Sequence, residues 1–201
     1  MDKTTLSIIN IIKAVIINEI GGLIYPENKK SPEVFSQSSP YIKFLPITAC
    51  IEFMGACYDE LPFETSRLDK EDIVERRFNT ALINLFGKRY HPFAKADNDF
   101  YFYKKLRNGM IHQLRPGQGI LFTTRKESLE DKTKHLVPTT IGNHKYLILV
   151  LETFYDDLQK AAERLIRQFE SKELTNKKGN MAFISVYDLE PKLKIGLFYL
   201  T

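Results

Sequence analysis

Five residues in one short stretch are of the types that could do chemistry together: Lys104, Arg107, Asn108, His112 and Arg115. Lys104, Asn108 and His112 recur every fourth residue, which in a helix puts them on one stripe. Arg107 lies about 100° round the helix from that stripe, and its long side chain leans over to where Asn108 and His112 point. Arg115 continues the stripe, and no carboxylate interrupts it. A guanidinium matches two phosphate oxygens with a planar fork of donors. An imidazole gives and takes protons near neutral pH. An amide holds the imidazole or a ribose hydroxyl. The set therefore suits a phosphate. Gly109, which costs a helix about 1 kcal/mol against alanine, leaves space beside it for another backbone or a second copy of the helix. The same residues have a purely structural reading. In that reading Arg107 bridges to a carboxylate on a neighbouring helix, His112 is hydrogen-bonded at an interface, and Lys104 with Lys105 is a solvated face.

A set of this kind needs a helix to hold it, and the spacing predicts one over residues 98–114. Asp97 opens it and Pro116-Gly117 ends it, while Tyr103, Leu106, Met110 and Leu114 face a core. Around it the chain reads as a helical bundle. A first helix covers 4–20, with isoleucines at helical spacing, and is stopped by Gly21-Gly22. A proline- and serine-rich loop follows over 25–40. A second helix covers 41–60, with Pro46 in its first turn. The third runs from about 70 to 86, with Asp69 as N-cap, Gly87 as C-cap, and Ile73, Phe78, Ala81, Leu82 and Leu85 inward. Residues 118–145 read as two short strands, 119–125 and 134–138, around a charged turn. The longest helix covers 146–169, with Leu147, Val150, Leu151, Phe154, Leu158, Ala161, Leu165 and Phe169 on its buried side. A polar linker over 171–180 leads to a C-terminal hairpin at about 181–200. The fold class is thus mainly α: about five helices in one domain over 1–201, with a helical core at about 4–170 and small β embellishments.

The composition, 43% hydrophobic and 27% charged with a net charge of +4 over 201 residues, allows a real core and a polyanionic partner. Cys50 and Cys57, about 10 Å apart along one helix, cannot form a disulfide and belong in the core. No metal-ligand spacing, phosphate loop, nucleophile elbow or dinucleotide fingerprint is present, so no cofactor is expected. The first helix is broken by Asn10, Lys13, Asn18 and Glu19, lacks a cleavage site and falls short of the ~18 apolar residues of a membrane span; the expectation is a cytoplasmic chain without membrane contact. His91 reads as a loop residue, and His135 and His144 flank the strand insert. Arg76-Arg77 reads as a surface ion-pair patch. Tyr101, Phe102 and Tyr103 read as core rather than as a base-stacking platform.

The stretch Arg107-Asn108-Gly109-Met110-Ile111-His112 resembles the Arg-Asn-x-x-x-His form of the Arg-x4–6-His motif of HEPN domains, small helical bundles that include metal-independent endoribonucleases. An Arg followed at that distance by a His is expected by chance about 0.5 times in such a chain, and about 0.01 times once Asn must follow the Arg. The resemblance implies that a ribose 2′-hydroxyl attacks the adjacent phosphorus, leaving a 2′,3′-cyclic phosphate. His112 would be the general acid or base, Arg107 would stabilise the phosphorane, and Asn108 would orient His112 or the ribose. Lys104 and Arg115 would bind substrate. An acidic residue on an earlier helix would assist, with Glu52, Asp59 and Glu60 as candidates. The family further implies RNA as substrate, a homodimer with two motifs in one cleft, and an antitoxin or nucleotidyltransferase partner in a toxin or defence role. A catalytically silent RNA- or nucleotide-binding member and a dimeric scaffold are the alternatives.

Overall fold

The computed structural model describes residues 3–26, 40–69 and 71–174 and is mainly helical. Helix α1 is one continuous rod over residues 3–24, α-helical at Lys3–Ile11, π-helical at Ile12–Glu19 and α-helical again at Ile20–Ile24. Ile8, Ile12, Ile16, Ile20 and Ile24 are all buried. A strict spacing of four drifts about 40° per turn in an α-helix; the wider i→i+5 turns absorb that drift and keep the isoleucines on one face. Tyr155 makes this register possible. Its hydroxyl donates to the carbonyls of Ile17 (2.9 Å) and Ile16 (3.2 Å), groups that the normal helical ladder would otherwise serve. A Cβ on Gly21 would lie 2.5 Å from that hydroxyl oxygen. Gly21-Gly22 therefore sit inside the helix instead of ending it. By length and composition Thr5–Ile24 is apolar enough to cross a membrane, contrary to the reading of the sequence. In the fold its isoleucine face joins the core while Asn10, Lys13, Asn18 and Glu19 are exposed.

Helix α2 spans Pro40–Ala56. It ends four residues earlier than the spacing suggests, in a run of tight turns over 54–59, because Asp59 leaves the helix to accept from the Leu61 amide and from Arg77. Pro46 lies well inside the helix instead of in its first turn, where its ring removes one donor from the ladder. A hairpin of β1 (Arg67–Leu68) and β2 (Glu71–Asp72) leads into α3 (Ile73–Asn84). The N-cap is Asp72, which accepts from the Glu75 amide at 3.1 Å. Asp69, at φ 53°, instead makes the hairpin turn. The five expected core residues of this helix are buried. Its C-cap is Leu85, and Gly87 instead starts the 3-10 segment Lys88–Ala94.

The insert is more organised than two strands around a turn. Strand β3 (Ile120–Thr123) leads to a short helix α5 (Arg125–Glu130), started by a reciprocal cap between Thr124 and Glu127. Strands β4 (Pro138–Ile141) and β5 (His144–Val150) follow. The sheet order is β3-β5-β4, with β3 parallel and β4 antiparallel to β5. Helix α6 (Leu151–Glu170) is the longest. The residues expected to be buried on one long helix over 146–169 are indeed buried, but Leu147 and Val150 are buried as strand. The expected C-terminal hairpin lies outside the described residues.

Candidate functional site

Helix α4 carries the motif and covers residues 103–113: a π-helical turn at Tyr103–Arg107, then α-helix at Asn108–Gln113. It starts later than Asp97 suggests, because Asn98 closes a turn by accepting from the Phe100 amide at 2.8 Å. Tyr103, Leu106 and Met110 face the core as expected, but Leu114 is 66% exposed. Leu114 is the left-handed C-cap residue at φ 54°, and that conformation turns its side chain out of the helical stripe. After it the chain folds straight back. The Gly117 amide donates to the Lys105 carbonyl at 2.6 Å. A Cβ on Gly109 would lie 2.6 Å from the Arg115 carbonyl oxygen and 2.8 Å from the Gly117 nitrogen. The backbone that Gly109 admits is thus that of its own chain, not of a second copy.

Arg107 is held from two sides. Its Nε (3.0 Å) and Nη2 (2.8 Å) both donate to Glu52 Oε2 on α2, and its Nη1 donates to Asn108 Oδ1 at 3.1 Å. Of the three acidic candidates Glu52 is the one that meets the motif; Asp59 belongs to Arg77 and Arg76. A guanidinium has five N–H donors, so two remain without a partner among the described residues. Asn108 turns its oxygen to Arg107 rather than to His112. His112 is exposed and accepts or donates no hydrogen bond among the described residues, and Lys104 and Arg115 are likewise exposed and unpaired. The arrangement is a clamped cation with an exposed imidazole five residues further along the same helix.

Tyr103 completes the setting, although the sequence suggests only a core role for it. Its ring centroid lies 5.9 Å from the Arg107 guanidinium carbon, and its hydroxyl donates to Asp72 Oδ2 at 2.6 Å. Burial first, and then the Asp72 carboxylate, push that phenol up to about 12, so it remains a donor at neutral pH.

Two further polar side chains, those of Arg77 and His135, are enclosed. Arg77 is not part of a surface patch. It is 2% exposed and donates to both oxygens of Asp59 and to the carbonyls of Leu61, Pro62, Phe63 and Thr65. Arg76 alone pairs at the surface, with Glu71 at 2.9 Å. His135, which the sequence alone does not place, is part-buried as a residue, with its side chain only 5% exposed. Its Nδ1 accepts from the Val150 amide at 3.0 Å and its Nε2 meets the Tyr90 hydroxyl at 2.8 Å. Cys50 and Cys57 are buried free thiols, and burial pushes the Cys50 thiol up to about 12. Among the described residues no cluster of three or more His, Cys, Asp or Glu side chains is placed to hold a metal ion.

No protein-family model, no curated protein and no solved structure matches this chain.

Proposed function

We propose that the chain is a metal-independent endoribonuclease of HEPN type. The observation that carries the reading is the state of Arg107. Glu52 and Asn108 orient its guanidinium, yet two of its N–H bonds have no partner among the described residues, and His112, exposed and unpaired among them, follows five residues along the same helix. A phosphodiester seated against Arg107 would satisfy those donors, and they would bind the dianionic phosphorane more strongly than the monoanionic ground state. His112 takes the proton of the 2′-hydroxyl as that oxygen attacks phosphorus, or returns one to the departing 5′-oxygen. The products are a 2′,3′-cyclic phosphate and a 5′-hydroxyl. Asn108 acts through Arg107, holding it in place, and Lys104 and Arg115 attract the flanking backbone. Glu52 sets the direction of the guanidinium.

The Arg107–Glu52 pair also favours a second reading, in which it merely ties α4 to α2 and the chain binds RNA or a partner without cutting. Cleavage of a labelled mixed-sequence RNA in EDTA decides between them. The nuclease reading expects cutting with cyclic phosphate ends, reduced at least about 100-fold by His112→Ala and by Arg107→Ala, in line with the usual weight of a general acid–base group or an electrostatic donor. Equal inertness of wild type and variants, all folded, would sink it.

A further inference from the structure

Beside the motif, with Tyr103 in its lining, lies a recess of about 400 Å³ lined by Ser66, Arg67, Asp72, Val74 and Tyr103. Its size falls in the range of small-molecule sites. Tyr103 is the shared wall, since its ring stands 5.9 Å from the Arg107 guanidinium carbon. The recess therefore opens within one side chain of the place proposed for the phosphate under attack.

Arg67 is the decisive residue. In the β1–β2 hairpin it stands directly across from Asp72, the register position where an ion pair would be expected. No such pair forms. One oxygen of Asp72 accepts the Glu75 amide and caps α3, and the other accepts the Tyr103 hydroxyl. The remaining acidic residue of β2, Glu71, is engaged by Arg76. Arg76, Arg77, Arg89, Arg107 and Arg125 each meet a carboxylate, whereas Arg67, like Arg115, Arg164 and Arg167, has no carboxylate partner among the described residues, and of these four only Arg67 lines the recess. The hairpin thus presents a guanidinium without a direct ion pair at a recess that Ser66 and Val74 also line, while the Asp72 carboxylate in the same lining has both oxygens engaged by neutral donors.

We infer that this recess receives one nucleotide unit of an RNA strand flanking the phosphate at Arg107, with Arg67 pairing its phosphate and the sugar and base lying against Val74 and Tyr103. The placement beside the scissile bond rests on the endoribonuclease reading; the binding of a nucleotide unit at Arg67 does not. A free anion of smaller size would use the same guanidinium but leave the recess unfilled.

The test uses the full chain and a short fluorescein-labelled 2′-O-methyl RNA of mixed sequence, which cannot be cut by attack of a 2′-hydroxyl. Binding is followed by anisotropy across a salt series. Arg67→Ala is expected to weaken binding about tenfold and to lower the slope of log K against log salt by about 0.7, the loss of one phosphate contact on a single strand. Arg67→Lys should restore the slope but not the full affinity, because it keeps the charge and loses the fork. Arg67 is exposed, so an unchanged melting temperature separates this loss from misfolding. With the all-ribose RNA, Arg67→Ala should raise KM about tenfold and leave kcat within twofold. Unchanged affinity and slope in Arg67→Ala, or a wild-type chain that does not bind the probe, overturns the inference. A wild type that binds through Arg67 but never cuts removes the nuclease reading and keeps the nucleotide site. Cutting that needs His112 but is indifferent to Arg67 does the reverse.

Discussion

At the scale of single residues, the chain separates its arginines by what surrounds them. Arg77 is enclosed, with a carboxylate and four backbone carbonyls on one guanidinium. It organises the turn after α2, since the carbonyls of residues 61, 62, 63 and 65 all point to it. Removing it would leave the Asp59 carboxylate and four acceptors without their donor in a partly dry site, a change that costs about 3–5 kcal/mol. Arg77→Met should therefore lower the urea midpoint strongly at unchanged m-value. A loss below about 1 kcal/mol would mean that water replaces the guanidinium. The signal was present in the sequence. Ile73, Arg77 and Ala81 are spaced by four and share the buried face of α3, but adjacency to Arg76 and the nearby acids made a surface patch look sufficient. The choice of Glu52 over Asp59 and Glu60 was not legible in the same way. It depends on how α2 and α4 cross and on where α2 ends, and neither is encoded in local spacing.

At the scale of elements, the passage from β5 to α6 shows why periodicity located the core yet misplaced a boundary. Leu147, Val150, Leu151 and Phe154 fit a helical stripe, but Tyr146–Val150 is also a run of β-branched and apolar residues that can be buried on both faces of a small sheet. Parallel pairing with β3 decides for the strand, and a contact 27 residues apart in sequence leaves no local trace. His135 locks the junction. Because its Nδ1 accepts the Val150 amide, its proton lies on Nε2, which donates to Tyr90; Tyr90 in turn donates to Asp157 at 2.6 Å. Burial first, and then the Arg89 charge, hold this histidine down at about 3. Asp157, 3.9 Å away, does not reverse this, being already occupied by Arg89 and Tyr90. The unfolded histidine titrates near 6.5. Below that value the unfolded chain therefore holds one proton more than the folded one, and stability falls as pH drops from about 6.5 towards 3. The expected loss is of the order of 1 kcal/mol per pH unit in that window. Urea unfolding at pH 7, 5.5 and 4.5 should show it, and His135→Gln should be less stable at pH 7 with a flatter profile. Equal slopes in both proteins would assign the pH dependence to other groups.

At the scale of the whole molecule, the bundle leaves α4 with an unusual end. Leu114 adopts φ 54°, a conformation where glycine is ordinarily found, and its side chain projects into solvent beside His112 together with the part-exposed Ile111. Neither feature helps an isolated chain fold. A leucine in this backbone costs of the order of 1 kcal/mol relative to glycine, and its exposed area gains nothing in a monomer. Both are accounted for if the end of α4 meets a second copy, so that two sets of Arg107 and His112 share one cleft; burial of Leu114 across that contact then offsets the local strain. Leu114→Gly discriminates sharply, because the two effects have opposite signs. It should raise the unfolding free energy of the monomer by about 0.5–1 kcal/mol while weakening self-association in sedimentation velocity and, with it, the specific rate of RNA cleavage. If the variant is more stable yet keeps the oligomeric state and the cleavage rate of the wild type, the exposed leucine is only a tolerated cap and each chain works alone.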